Sequence, residues 1–365
     1  MNWVAYYAPL KSPDHPTPSG DREMARNLKS VVAQATGLPV HLAATLRSRD
    51  GVGDVRAQQR LMAQADAVAQ ELVARWRPNP PRLWITYHNY YKAPDLIGPS
   101  VARALSVPYV LIEATRARKR LNGPWAMFAQ QAEAATDAAK LVYYMTAHDR
   151  DTLERDRPAG QRLIHLPPFL PACQLPEAGT GAGPMLSVGM MRPGDKRASS
   201  RLLAETLSLV ETPDWRLDIV GDGPTRAEVA ELMRPLGNGI RFHGALPRDA
   251  LDRLYANASL FLWPGVNEAY GMVYLEAQSY GVPVIAQDRP GVRDVLARQA
   301  SDTAYPSPEQ GTAVLAARID AMLTSPNLRE NAAIAARAHI ARDHLLPAAR
   351  DRITLGLQPL LEDLS

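Results

Sequence analysis

Two carboxylates eight residues apart, Glu268 and Glu276, flank the predicted start of a helix in the second half of the chain. A proline-glycine turn precedes them, and we expect the helix to begin between Ala269 and Gly271. The free N–H groups and positive dipole end of a helix N-terminus attract anions, so this position suits a diphosphate. At roughly 100° per residue the carboxylates project from related faces, so that one can meet a sugar and the other a ribose. Spacing alone also allows Glu268 to complement the helix dipole and Glu276 to be a surface residue.

Cations and glycine turns follow other predicted strands of the second half. Arg192 and Lys196 come after a strand and a glycine turn, where two positive charges suit a diphosphate leaving group. Gly221 and Gly223 lie in another turn, where glycine lets the backbone approach a nucleotide closely. A third strand leads into residues 243–245. Each segment alone is weak evidence, whereas their order along the chain favours a nucleotide site.

Short apolar runs alternate with longer helical patterns in both halves, which is typical of βαβ units and mostly parallel sheets. Strands are predicted in the first half at residues 3–7, 40–43, 82–86, 109–112, 141–145 and 162–166. In the second half they are predicted at residues 185–188, 216–220, 240–243, 260–263 and 284–286. We therefore predict an α/β fold of two Rossmann-like, doubly wound domains that face each other across a cleft, with ligands at the carboxyl ends of the strands.

The length of 365 residues is sufficient for two domains that each bury a core. Proline, glycine and alanine dominate around residues 173–184, where no periodicity survives, and we predict a linker there. The N-terminal domain is then expected at 1–172 and the C-terminal domain at 185–343. A C-terminal helix is expected within 344–365.

The composition is that of a globular protein, with 46% apolar and 22% charged residues and no apolar run long enough to cross a bilayer. The first residues lack the basic region of a signal peptide and predict a strand, so we expect a cytoplasmic protein. The single cysteine, Cys173, excludes an internal disulfide and a cysteine-based metal site. Residues 1–175 carry 22 Lys and Arg against 15 Asp and Glu. This surplus allows peripheral contact with an anionic inner membrane face or an acidic substrate, or is a solvated surface.

In this order the segments resemble the retaining GT-B glycosyltransferases of family 4, the glycosyl transferases group 1. The likeness runs from about residue 185 to residue 296, with Glu268 and Glu276 in the E-x7-E motif and residues 221–224 in the glycine-proline turn. It implies that Glu268 lies by the transferred sugar and that Glu276 holds the ribose hydroxyls. The amides of residues 271–273 would cradle the diphosphate, and the backbone of residues 243–245 would border the base.

The resemblance also implies a set of site residues. Family members commonly carry arginine where this chain has Met190, and we expect Arg192 to take that role. The implied catalytic residues are Glu268, Arg192 and Lys196. The implied donor-binding residues are Gly20, Gly221, Gly223, His243, Gly244, Ala245, Gly271, Met272, Val273 and Glu276.

The first half resembles the family more loosely. Gly20 lies in the glycine loop that faces the donor phosphates and the acceptor, and we interpret Asp21 as a helix cap in preference to an acceptor ligand. Many relatives carry a histidine after the strand at 109–112, where this chain has Glu113, and a carboxyl group donates a hydrogen bond only when protonated. The aromatic loop at 86–92 suits a sugar acceptor and contains His88, although lone histidines are more often structural. The acceptor-side candidates are Asp21, His88 and Glu113.

A basic cluster follows Glu113 and consists of Arg116, Arg118, Lys119 and Arg120. It suits a phosphate-bearing or lipid-linked acceptor, or is a solvated face.

Other chemistries compete with this interpretation. Asp149 and Asp151 match the Asp-x-Asp pair that holds a metal in GT-A transferases, but Thr146 ahead of them predicts a helix start. No Gly-x-x-x-x-Gly-Lys motif is present, and the turn at 221–224 lacks the third glycine of a dinucleotide fingerprint. A non-catalytic nucleotide-sugar-binding or assembly protein, a nucleotide-sugar epimerase and a phosphorylase-like enzyme are the alternatives on the same architecture.

The resemblance therefore implies a retaining, metal-independent transferase of the hexosyltransferase type. It would move a sugar from a nucleoside diphosphate sugar to the hydroxyl of a sugar or lipid-linked acceptor, in glycan, polysaccharide or glycolipid synthesis. We expect no metal, no cofactor beyond the nucleotide sugar and no nucleic acid partner. As in the family, a helix at about 345–361 is expected to pack back on the N-terminal domain.

Overall fold

The computed structural model describes residues 2–17, 19–298 and 305–362, so Pro18 of the predicted glycine loop lies outside the described residues. The chain divides into two compact units. Unit 1 comprises Met1–Pro167 and Leu346–Ser365, and unit 2 comprises Pro168–Leu345.

The described part of unit 1 contains a parallel sheet and the helices that connect its strands. The strands are β1 (Val4–Tyr7), β2 (Val40–Leu42), β3 (Leu83–Asn89), β4 (Tyr109–Ala114), β5 (Leu141–Tyr144) and β6 (Arg162–His165). The connecting helices are α1 (Gly20–Thr36), α2 (Val55–Trp76), α3 (Gly98–Leu105), α4 (Ala126–Ala138) and α5 (Ala147–Arg155). The strand order is β2-β1-β3-β4-β5-β6, and β1 and β4 are buried along their whole length, as is usual for strands of a parallel sheet.

The described part of unit 2 repeats this arrangement. Its strands are β7 (Met185–Val188), β8 (Leu217–Val220), β9 (Ile240–Gly244), β10 (Phe261–Leu262) and β11 (Val284–Ile285). Its helices are α6 (Asp195–Leu207), α7 (Arg226–Met233), α8 (Arg248–Asn257), α9 (Met272–Ser279), α10 (Val292–Val295), α11 (Gly311–Thr324) and α12 (Pro326–Asp343). The strands are parallel in the order β11-β10-β7-β8-β9.

The strand order of each sheet changes direction at one place. In unit 1, β1 has β2 on one side and β3 on the other, and in unit 2, β7 lies between β8 and β10. Open α/β sheets bind ligands at such a reversal, because the connections on either side of it leave in opposite directions and open a crevice at the carboxyl ends. The loops after β1 and β3, and those after β7 and β10, are therefore the favoured positions for chemistry.

All eleven predicted strands are present in the described residues, and both sheets are parallel, which confirms the predicted α/β class with two such domains. Residues 173–184, predicted as a linker, are attached to unit 2. The amides of Gly179 and Thr180 donate to the carbonyls of Tyr280 and Ala256 at 2.8 and 2.7 Å.

The C-terminal helix, α13 (Leu346–Glu362), belongs to unit 1 and contacts α1. The Tyr143 hydroxyl of β5 donates to the Ile353 carbonyl at 2.7 Å, and Arg82 donates to the Leu361 carbonyl at 2.7 Å. A Cβ at Gly356 would overlap the Tyr143 side chain, so glycine is what allows the helix to approach β5 this closely.

Candidate functional site

The reversal between β7 and β10 in unit 2 brings Lys196 to Glu268. The chain after β7 turns into α6, whose N-cap is Gly194, and this places Lys196 in the first turn of the helix. The loop after β10 carries Trp263 and Glu268. The Cα of Gly189 faces the Trp263 ring so closely that an added Cβ would lie 3.1 Å from it, and this packing fixes the two loops against each other.

Lys196 and Glu268 form an ion pair. Glu268 Oε1 accepts hydrogen bonds from the Lys196 ammonium and, at 2.8 Å, from the Trp263 indole N–H. The ammonium also lies 5.5 Å from the centroid of the Trp263 ring, within cation–π range. The Glu268 side chain is 11% exposed and that of Lys196 29%, so the pair is shielded from water yet reachable by a ligand. None of the described residues donates to Glu268 Oε2, which leaves that oxygen for a hydroxyl group.

Helix α9 begins at Met272, just after the predicted interval, and its N-cap Gly271 has a left-handed φ of 80°, which glycine adopts without strain. The amides of Met272 and Val273 have no partner among the described residues, as expected for the first turn of a helix. The diphosphate cradle predicted for residues 271–273 stays a prediction. The structure does show a helix that begins four residues after Glu268 and whose first amides have no partner among the described residues.

Glu276 is not the surface residue that spacing alone also allowed. Its carboxylate accepts from Arg248 Nη1 at 2.6 Å and from the Tyr255 hydroxyl at 3.0 Å, and its side chain is 16% exposed. Sequence reasoning missed both partners, which lie on α8. Nothing in the sequence of one helix indicates that a cation at its start and a phenol at its end contact the same carboxylate.

The two predicted cations differ in their surroundings. Lys196 contacts Glu268, whereas Arg192 is exposed and its side chain makes no hydrogen bond or ion pair with the described residues. Arg197, the next residue of α6, pairs with Glu228 at 2.6 Å. Of the cations near β7, the structure brings only Lys196 to Glu268.

The glycine turn after β8 packs against the turn after β7. A Cβ on Gly221 would overlap the Gly189 carbonyl oxygen, and one on Gly223 would overlap that of Met191. The amides of Gly189 and Met191 donate to the Val220 and Asp222 carbonyls at 3.0 Å each. The close approach that these glycines permit is therefore to the protein's own backbone, while the predicted approach to a nucleotide stays a prediction.

Replacing Gly221 by alanine is expected to destabilise the protein by about 2–4 kcal/mol, because the side chain would overlap a carbonyl and the φ of 137° is unfavourable for alanine. Gly237→Ala is the matched control, since its φ is 83° and an added Cβ would meet no atom within 4 Å. Urea unfolding of both variants measures the difference. Equal losses would show that the overlap at Gly221 relaxes without cost.

The turn after β9 contains the residues predicted to border the base. The His243 Nε2 lies 2.8 Å from Asp218 Oδ1, which fixes the imidazole across β8 and β9. The Gly244 carbonyl accepts from the Gly221 amide at 2.8 Å, and Ala245 is exposed. This leaves the backbone beyond Gly244, rather than the His243 ring, as the surface open to a base.

In unit 1 the reversal lies between β1 and β3, and two strained residues mark it. His88 on β3 and Glu113 on the adjacent β4 have left-handed φ values of 67° and 60°. Such a backbone costs a non-glycine residue about 1 kcal/mol or more and is concentrated at functional sites.

His88 is surrounded by carboxylates. Its Nδ1 lies 3.6 Å from Asp21 Oδ1 and 3.7 Å from Glu113 Oε1, and its side chain is 14% exposed. Neither His88 Nδ1 nor the buried Glu113 Oε2 has a hydrogen-bond partner among the described residues. Buried polar atoms are normally paired, so these two atoms point to a ligand.

Charge determines the protonation of this pair. Burial alone lowers the pKa of His88, but Glu113 and Asp21 outweigh it and raise the pKa to about 9. Burial raises the pKa of Glu113 to about 7, against the opposing effect of His88. An ionised Glu113 cannot donate a hydrogen bond to a ligand. The protonated imidazole of His88, on the neighbouring strand, can therefore act as the donor in its place.

Asp21 is not the cap of α1, contrary to prediction. The N-cap is Ser19, whose hydroxyl accepts from the Arg22 amide at 3.3 Å. Asp21 lies in the first turn, and its carboxylate faces His88. Gly20 opens the helix and is exposed, and an added Cβ there would meet no atom within 4 Å.

The predicted basic cluster is divided by tertiary contacts. Arg116 is only 2% exposed and donates to Glu133 and Asp137 at 2.6 Å each. Arg118 pairs with Asp156 at 2.9 Å, while Lys119 is exposed. Arg120 lies against two aromatic rings. These four cations do not form one face, and Arg116 has a structural role.

The Asp-x-Asp string has the predicted structural explanation. Thr146 is the N-cap of α5, accepting from the Asp149 amide at 3.2 Å, and its hydroxyl donates to the Asp149 carboxylate. Within the described residues there is no group of three His, Cys, Asp or Glu side chains placed to hold a metal ion. The same residues include no helix of sufficient length and apolarity to span a membrane.

The sequence of this chain is similar to those of known proteins, most clearly in its second half. Residues 190–339 match the family model described as glycosyl transferases group 1. An alpha-D-kanosaminyltransferase of Streptomyces kanamyceticus is 24% identical over 73% of this chain and 72% of its own length. A sulfoquinovosyl transferase of Arabidopsis thaliana is 36% identical over 84 residues, which are 23% of this chain and only 16% of that protein.

Among solved structures, the sucrose-phosphate synthase of Thermosynechococcus elongatus superposes with a TM-score of 0.70 over 100% of both chains, at 17% identity. This likeness shows the fold, which is two parallel-sheet α/β domains as in GT-B glycosyltransferases.

Proposed function

We propose, from the group 1 match over residues 190–339 and the geometry of unit 2, that this protein transfers a sugar from a nucleoside diphosphate sugar to an acceptor hydroxyl. The observation that carries the proposal is the ion pair of Lys196 and Glu268 at the strand-order reversal, followed by the unpaired N-terminus of α9. A cation and free amides suit a diphosphate, and a carboxylate with an unused oxygen suits sugar hydroxyls.

In the proposed reaction the bond from the anomeric carbon to the diphosphate oxygen breaks as the acceptor oxygen bonds to that carbon. Lys196 and the amides of Met272 and Val273 stabilise the negative charge that develops on the departing diphosphate. The proton of the acceptor hydroxyl leaves with the diphosphate or with solvent. Because Lys196 and the helix supply the positive charge, no divalent metal is required.

Glu268 and Glu276 have separate roles in this proposal. Glu268 Oε2 accepts from hydroxyls of the transferred sugar, while Lys196 and Trp263 hold Oε1. Glu276 accepts from the ribose hydroxyls and is oriented by Arg248 and Tyr255. We propose retention of the anomeric configuration because the chain resembles family 4.

The test is incubation with a panel of uridine, guanosine and adenosine diphosphate sugars, with and without EDTA, while release of the nucleoside diphosphate is measured. At least one donor is expected to be consumed at a rate that EDTA leaves unchanged. The anomeric coupling constant of the product, measured by NMR, is expected to match that of the donor. Donor binding without any release would support a non-catalytic binding protein instead, and loss of release in EDTA would overturn metal independence.

A further inference from the structure

Of the cations in the described loops of unit 1 that have no carboxylate partner, four lie near Tyr90 or Tyr91. Arg47, Arg49, Lys92 and Arg120 form no ion pair with any described carboxylate, whereas Arg116 and Arg118 close by do. Arg47 uses its Nε to donate to the Leu10 carbonyl at 2.9 Å. Burial raises the pKa of Tyr90, and the nearby positive charge of Arg49 opposes that rise.

Lys92 and Arg120 share two aromatic rings. The Lys92 ammonium lies 5.6 Å from the centroid of Tyr91 and 5.5 Å from that of Trp125. The Arg120 guanidinium lies 5.1 and 5.4 Å from the same two centroids. Cation–π attraction therefore holds both cations against the same two rings. Their repulsion is not relieved by a protein anion, so a bound anion would relieve it.

The carboxylate within this loop cluster is occupied by neutral donors. Asp50 is buried, and its oxygens accept from the amides of Val52 and Gly53 at 2.9 and 3.0 Å and from the Gln58 amide at 2.7 Å. Its backbone contacts Lys92 and Trp125, since its N–H donates to the Lys92 carbonyl at 2.9 Å and its carbonyl accepts from the indole at 3.2 Å. Asp50 thus positions the loops without neutralising their cations.

A continuous row of rings joins these cations to the strand-order reversal of unit 1. The centroid distances are 4.8 Å from His88 to Tyr90, 5.7 Å from Tyr90 to Tyr91 and 5.7 Å from Tyr91 to Trp125. The reversal, with His88, Glu113 and Asp21, offers hydrogen-bonding groups to hydroxyls. The far end of the row offers unpaired positive charge.

We propose that Lys92 and Arg120 bind a phosphate group on the acceptor, so that the substrate class is a phosphorylated sugar or polyol, free or as a lipid headgroup. Its hydroxyls lie along Tyr90 toward His88 and Glu113. Guanidinium and ammonium groups make charge-assisted hydrogen bonds to phosphate, which are about twice as strong as neutral ones. That the phosphorylated compound is an acceptor rests on the proposed transferase function. That a phosphate group binds here does not.

The experiment compares glucose 6-phosphate with glucose by isothermal titration calorimetry on the full chain, with inorganic phosphate as competitor. Wild type is expected to bind glucose 6-phosphate at least about tenfold more tightly than glucose, and phosphate should compete. The double variant Lys92→Gln/Arg120→Gln should lose this preference. The control Arg60→Gln/Arg103→Gln removes the same charge from exposed positions on α2 and α3 and should keep it.

Vesicle co-sedimentation separates the two sources of the phosphate. Binding to phosphatidylcholine vesicles that contain phosphatidylglycerol, but not to phosphatidylcholine alone, and its loss in the double variant would identify a lipid headgroup. Preference for glucose 6-phosphate without vesicle binding would identify a free sugar phosphate. If wild type shows neither preference, or if the double variant keeps one, the proposal is overturned.

Two further measurements keep the test decisive. Binding of the nucleoside diphosphate released in the donor panel reports on unit 2 and is expected to be unchanged in the double variant, which shows that the variant is folded. If the double variant is unstable, Lys92→Gln alone should weaken glucose 6-phosphate binding by about threefold to tenfold. Failure of every nucleotide sugar to react would overturn the transferase function but leave the phosphate site standing.

Discussion

Lys196→Ala is expected to lower kcat for the nucleotide sugar by about 100- to 1,000-fold, the loss typical of removing one preorganised electrostatic group. The variant removes the cation proposed to stabilise the diphosphate and leaves the shielded Glu268 carboxylate without its counter-charge. An uncompensated negative charge at this position would also repel the diphosphate of the bound donor. Both effects act on the same step, so the loss should be in kcat as well as in donor affinity.

The matched control is Arg197→Gln, one residue further along α6. Its guanidinium pairs with Glu228 and is exposed, so the charge change is the same while Glu268 keeps its partner. Steady-state release of nucleoside diphosphate from both variants, with a circular dichroism melt to check folding, makes the comparison. Unchanged turnover by a folded Lys196→Ala protein would remove the ion pair from the proposed mechanism.

The second large effect is expected on stability, which should fall as the pH is raised from about 6.5 to about 9. The ordinary pKa of histidine is near 6.5, and burial opposes its charging, but Glu113 and Asp21 raise the pKa of His88 to about 9 in the folded protein. The folded state therefore binds this proton more tightly than the unfolded state does. The stabilisation is fully present below pH 6.5 and is lost as the pH rises through 9, by on the order of 3 kcal/mol.

Glu113 extends the same trend to lower pH. Burial raises its pKa from about 4.5 to about 7, so its contribution is present below pH 4.5 and lost as the pH rises through 7. Urea unfolding at a series of pH values from 5 to 9.5, for wild type and the double variant His88→Gln/Glu113→Gln, measures the slope. Because His88 also lowers the pKa of Glu113, both groups are removed together. The double variant should be flatter over this range, while the exposed His148→Gln should retain the wild-type slope. A double variant with the wild-type slope would contradict the assignment of these protons to the pair.

The strands were predictable because their signal is local. Val4–Tyr7 and residues 109–112 are continuous apolar runs, and strands of a parallel sheet are buried on both faces. The start of α9 was predicted to within a few residues for a similar reason, because the proline-glycine turn before it is a local signal. Asp21 shows where local information fails. Ser19 and Asp21 are both good caps, and local sequence does not show that Asp21 instead faces His88, which lies 67 residues away in the chain.

The basic residues after Glu113 show the same limit. They are adjacent in the sequence, yet Arg116 pairs with two carboxylates of α4 while Arg120 contacts Tyr91 and Trp125. The unpaired cations near Tyr90 and Tyr91 instead come from different segments, at Arg47, Arg49, Lys92 and Arg120. A charge count along the chain cannot distinguish a cation that has a partner from one that does not.

From the sequence alone came the α/β class, the two Rossmann-like halves and the positions of Lys196, Glu268 and Glu276, because strand patterns, turns and motif spacing are properties of short segments. Tertiary structure alone decided that Lys196 meets Glu268, that Arg248 and Tyr255 hold Glu276, and that His88 lies beside Glu113. These contacts join segments on different strands and helices. Strand order determines them, and it is settled by the packing of the whole sheet rather than by any one segment.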